Sequence, residues 1–173
     1  MRVAASLSLS RVPALIGGLG LIGAFFMPWF SSQGLLLSGQ FLHTFLSSAS
    51  PADLRRFLPA SSPAEVQALR LLVDLFPACG FVGGTATLTG GLVQQRALKL
   101  VANLLLGISG LVALVAWACG ISQLPSGSAP EVGLWLIAAS SLAMLAGLTA
   151  DLLITRQPAQ RGSGTAILNS APR

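Results

Sequence analysis

The sequence contains no tyrosine, one histidine (His43) and two cysteines among 173 residues, and only 9% of it is charged. Each shortage closes a class of function. With one histidine, no Ser/His/Asp or Cys/His constellation forms around a buried base. Haem or chlorophyll held between helices needs buried histidines, and none is at hand. The missing tyrosine removes a further acid–base group. Cys79 and Cys119 form no CxxC or Cys/His metal cluster, and no cage of clustered acids stands in for one. No P-loop or dinucleotide glycine pattern lies between a strand and a helix. The expectation is no enzyme, no cofactor and no metal. The scarcity of charge excludes an ordinary water-soluble domain, in which about a quarter of residues are charged.

What is present is apolar. Hydrophobic residues make up 53% of the chain, and the mean hydropathy is +0.78, which a lipid environment explains better than a large aqueous-facing fold. The formal charge is +5, but the bases flank apolar runs, where they set orientation rather than bind nucleic acid. A helix crossing about 30 Å of hydrocarbon needs roughly 20 apolar residues. Four runs meet this need, at about 12–30, 71–93, 100–121 and 132–155. The expected fold is all-α, a four-helix transmembrane bundle. An N-terminal cytoplasmic segment (1–11) precedes it, short external interfacial helices fill 31–70 between spans one and two, and a mobile cytoplasmic tail (156–173) follows.

The first run is expected to stay as a span. It is long for a signal peptide and ends in FFMPWF rather than at a small-residue cleavage site. Trp29 and Phe30 suit the aromatic belt of a membrane boundary. In the following segment Leu37, Phe41, Leu42, Phe45 and Leu46 recur at helical spacing, which predicts a short helix on the membrane or capping the bundle. His43 lies off that stripe and, with no second ligand nearby, is given no site role. Ser50-Pro51-Ala52-Asp53 and Ser62-Pro63-Ala64-Glu65 each offer a serine N-cap, a proline at the first helical position and an acid at the third. Only the second is a strict capping box, and it opens the helix that becomes the second span.

Lipid tails are as apolar as leucine, so spans join through close approach over small residues. Gly80 and Gly84 form a GxxxG pair, and Thr87 and Gly91 continue the stripe. In the fourth span Ala139, Ala143 and Gly147 lie on an i+4 stripe that begins at Trp135 and ends at Asp151. These seven residues from Gly80 to Gly147 are the expected helix-packing seam. Pro77 removes a backbone donor and predicts a kink that frees the Val73 carbonyl. Asp74 sits beside it, about a turn inside the span. An acid in a span is a functional-site hypothesis; alternatively Asp74 reaches the interface or pairs with Arg70. Both cysteines fall in the outer half at different depths and are expected as buried free thiols.

Four spans put Arg2, Arg11, Arg96, Lys99, Arg156, Arg161 and Arg173 on one side and Arg55, Arg56 and Arg70 on the other. The positive-inside rule then places both termini in the cytoplasm. Asp151 and Asn103 come to similar depths in spans four and three, with Lys99 just below. The two spans are expected to pack as a hairpin with Asp151 bonded to Asn103 or Lys99, and Arg156 competing. Asp74, Lys99, Asn103 and Asp151 are thus read as a polar clamp or a proton or ion relay.

The segment GAFFMPWF at Gly23–Phe30 resembles the end of the first span in uncharacterised small bacterial four-span membrane proteins, where a glycine-rich span ends in G-x-F-x-P-W and an external segment follows. The resemblance implies a bacterial inner cell membrane and no known reaction, and it carries over no functional residue. The expected function is a non-catalytic accessory or scaffold subunit of a membrane complex. Its partners would be the lipid bilayer and either further copies of itself or other membrane subunits, without nucleic acid. The alternative is a small oligomeric transporter or channel subunit using Asp74, Asp151 or both. An external sensor built on 31–70 rests on loop length alone.

Overall fold

The computed structural model describes residues 9–32, 34–57, 62–93, 95–122, 124 and 128–156; the tail at 157–173 lies outside them. A 3-10 turn at Leu9–Arg11 runs into helix α1 (Val12–Phe26). Strands β1 (Pro28–Ser32) and β2 (Leu35–Ser38) follow, then the short helices α2 (Gly39–Ser48) and α3 (Pro51–Phe57). The long helices α4 (Pro63–Leu92), α5 (Arg96–Ser122) and α6 (Val132–Arg156) complete the chain, with strand β3 (Ala129–Pro130) just before α6. Helices make up most of the described residues, which makes the class all-α. Among the described residues four helices are long and apolar enough to cross a membrane: Leu9–Phe26, Pro63–Leu92, Arg96–Ser122 and Val132–Ile154.

The long helices form a ring in which α1 packs on α4 and α6, and α5 packs on the same two. Met144 of α6 fills its centre and is fully buried. Glycines on the other three helices make the room. A Cβ at Gly17 of α1 would come within 2.8 Å of Met144 Cγ, one at Gly110 of α5 within 3.4 Å of its Cβ, and one at Gly83 of α4 would strike its Cε. Between α1 and α4 the backbones themselves meet, since a Cβ on Gly18 would lie 3.0 Å from both Gly80 O and Gly84 Cα. Close approach of this kind supplies dispersion contacts where no hydrophobic drive joins helices.

Helix α4 starts where its capping box sets it. The Ser62 hydroxyl accepts from Glu65 N at 3.3 Å, and Glu65 Oε2 accepts from Ser62 N at 2.7 Å. Ser50 likewise accepts from Asp53 N at 3.2 Å at the start of α3. Helix α4 continues through Pro77 to Leu92.

Several features depart from the sequence expectation. The first long helix stops at Phe26 rather than Phe30. Pro28 cannot continue the ladder, Met27 turns extended (φ −84°, ψ 155°), and the chain enters a three-stranded antiparallel sheet of order β2-β1-β3. Leu37 therefore belongs to a strand, while Leu42 and Leu46 form the buried face of α2. Trp29 is not part of an outward aromatic belt. It is only 3% exposed, donates its Nε1–H to Ala24 O at 2.8 Å and meets Phe76 edge-on at 5.2 Å. A Cβ on Gly39 would strike its ring, and one on Gly133 would lie 2.8 Å from its Cδ1. The indole thus plugs one end of the ring of helices. Of the two free cysteines, Cys79 is buried but Cys119 is exposed on the outer face of α5, a correction to the reading of both as buried.

Candidate functional site

Arg11 closes the 3-10 turn that leads into α1, and it is only 3% exposed. A buried guanidinium needs partners for its donors, and the structure supplies them from the other three long helices. Nη2 donates to Asp151 Oδ2 of α6 at 2.7 Å and Nε to Oδ1 at 3.3 Å, a two-pronged pair. Nη1 donates to the Thr87 carbonyl of α4 at 3.2 Å. Nη2 also donates to Asn103 Oδ1 of α5 at 3.2 Å. Gly90 clears the space, because a Cβ there would strike Arg11 Nη1. One side chain thereby ties all four long helices together at one end of the ring.

The expected hairpin of spans three and four is present as packed α5 and α6. Asn103 Nδ2 donates to Asp151 Oδ2 at 3.4 Å, and Lys99 Nζ stands 3.9 Å from the same oxygen. The principal partner of Asp151, however, is Arg11, which the sequence reading counted only as a topology-setting base. The signal was there: the count of spans puts Arg11 and Asp151 at the same end. The Arg156 side chain lies outside the described set. Chemically the cluster is a clamp. A guanidinium does not give up its proton, so it offers no next carrier for a relay that starts at Asp151.

Asp74 does not belong to this cluster. It lies thirteen positions before Thr87 on α4, about 20 Å away along the axis. Its hydrogen-bond partner is not Arg70. Asp74 Oδ1 is 2.6 Å from His43 Nδ1 of α2, with both side chains a little under half exposed. The position of His43 off the apolar stripe is what turns it toward α4, and its ring also meets Phe25 edge-on at 6.2 Å. Beside this pair a cavity of about 380 Å³ opens between α2 and the first turns of α4.

The small-residue stripes divide. Gly80 faces Gly18 of α1, Gly84 lends only its backbone to that contact because a Cβ on it would meet nothing within 4 Å, Thr87 is fully buried beneath Arg11, and Gly91 is exposed at the edge of the Arg11 side chain. On α6, Gly147 packs on Ala14, with a Cβ there 2.7 Å from Ala14 Cβ, while Ala143 is half-buried and Ala139 exposed. The buried face runs instead through Leu134, Ile137, Ser141, Met144, Gly147 and Asp151. A strict i+4 repeat rotates by about 40° per step around a helix of 3.6 residues per turn, so the stripe drifts off the face it starts on.

Among the described residues no three His, Cys, Asp or Glu side chains gather as a metal site. Family models, curated proteins and solved structures give no match to this chain. The segment from Gly23 to Trp29 also holds one residue more than the G-x-F-x-P-W pattern it resembles.

Proposed function

We propose that this chain is a multi-pass protein of a bacterial inner membrane, with both termini cytoplasmic, serving as a non-catalytic accessory or scaffold subunit of a membrane complex. The observation that carries the reading is the engagement of Asp151. Both of its oxygens accept from the fixed Arg11 guanidinium, so the acid inside the bundle is used to hold helices together. Met144 fills the centre, which leaves the outer faces for function. On α5 those faces carry exposed Leu100, Leu104, Ile108, Leu111 and Val115, a surface suited to lipid or to another membrane subunit. Purification of the tagged protein at native expression in mild detergent, with mass spectrometry and a native mass, tests the reading. Stoichiometric membrane partners support it, a homo-oligomer without partners moves the weight to the second reading, and a lone monomer overturns it.

A small oligomeric transporter or channel subunit is the second reading. The His43–Asp74 pair beside an open cavity favours it. Flux in liposomes that is abolished by Asp74→Asn would move the weight to this reading.

A further inference from the structure

We propose that the cavity between α2 and α4 binds the headgroup of a membrane phospholipid bearing both a phosphate and a primary amine, a phosphoethanolamine lipid. Two opposite charges line it, Arg70 and Asp74. They stand four residues apart on α4 and so share one face. They are not paired with each other. Asp74 Oδ1 is taken by His43, while Asp74 Oδ2 and the Arg70 guanidinium have no hydrogen bond or ion pair among the described residues. A zwitterionic headgroup matches this arrangement. The guanidinium fork fits a phosphate, and the second carboxylate oxygen accepts from an ammonium. Gln67 adds an amide, and Leu46, Val66 and Leu71 supply an apolar wall for the glycerol and first acyl carbons.

Depth agrees with a lipid source. Arg70 and Asp74 bracket the start of the apolar stretch at Leu71, which is headgroup level for a helix that spans. The volume of about 380 Å³ lies in the range of about 300–1,000 Å³ found for ligand sites.

The proposal rests on the membrane-spanning reading, which fails separately if alkaline carbonate strips the protein from membranes. The test is native mass spectrometry of the full chain in detergent, titrated with short-chain phosphatidylethanolamine, phosphatidylglycerol and phosphatidylcholine. Phosphatidylglycerol keeps the phosphate without the amine, and phosphatidylcholine keeps the charge without N–H donors. Retention of phosphatidylethanolamine at least about tenfold above both is expected, with that preference lost in Asp74→Asn and with retention of all three lipids reduced in Arg70→Gln. Equal retention of the three lipids by the unaltered protein overturns the proposal, and this comparison needs no variant to fold. Unchanged lipid retention in Arg70→Gln, or an unchanged preference in Asp74→Asn, also overturns it. Deacylated glycerophosphoethanolamine serves as competitor; if it displaces the lipid at equal concentration, the site takes a soluble phosphate ester and the lipid assignment falls.

Discussion

At the scale of single residues, Arg11 concentrates the most consequence in the least space. Its guanidinium serves Asp151, Asn103 and the Thr87 carbonyl at once. Removing one member of a buried pair leaves the other charged and uncompensated, which costs about 3–5 kcal/mol. Arg11→Gln and Asp151→Asn are each expected to destabilise the protein by that amount in reversible unfolding from mixed micelles. Replacing both together with apolar residues, Arg11→Met with Asp151→Leu, is expected to cost clearly less than either single change, because no orphaned charge remains. A double variant worse than both singles would show that the clamp does more than satisfy its own charges. Met144 makes the complementary case in the apolar interior. It is fully buried among Gly17, Gly83 and Gly110, so Met144→Ala opens a cavity that the surrounding backbone cannot fill. A loss of about 2–5 kcal/mol is expected in the same assay.

At the scale of elements, the sheet and α2 form a cap whose anchor is Trp29. The indole is held by a single hydrogen bond to Ala24 O and by rings and glycines on three sides. Trp29→Phe keeps most of the apolar area but loses the hydrogen bond, and the cost expected is about 0.5–1.5 kcal/mol. Hydrogen exchange should rise first in β1, β2 and α2, while the interior of α5 stays protected; uniform loss of protection would show that the cap and the bundle open as one unit. Much of this level was legible in advance. The capping box at Ser62–Glu65 marks the start of α4, and uninterrupted apolar length marks the four long helices. The cap was not legible, because Pro28-Trp29-Phe30 also has the composition of a membrane boundary. Whether an indole points outward or inward depends on Gly39 and Gly133, which only the tertiary fold brings beside it. Arg11 and His43 escaped for a related reason. Each is defined by a partner at least 31 positions away, and no local spacing encodes such a pair.

At the scale of the whole molecule, the two polar pairs lie at opposite ends of the ring of helices, and this gives the proposed orientation a direct test. The Arg11–Asp151 clamp marks the end that the proposed orientation places in the cytoplasm, and the His43–Asp74 pair marks the end that it places outside. Gln40 on α2 and Gln95 between α4 and α5 are exposed, one near each end, so a cysteine at either position should be reachable without disturbing the packing. In a Cys79→Ser, Cys119→Ser background, a membrane-impermeant maleimide is expected to label Gln40→Cys in intact cells and Gln95→Cys only after permeabilisation. The reverse pattern would invert the orientation and move the headgroup cavity to the cytoplasmic leaflet. Labelling of both in intact cells would separate the four apolar helices from any span of the membrane. The expected pattern joins the two halves of the physical argument. Charge counted along the chain chooses the side, and the polar pairs at the two ends of the folded ring show which residues stand there.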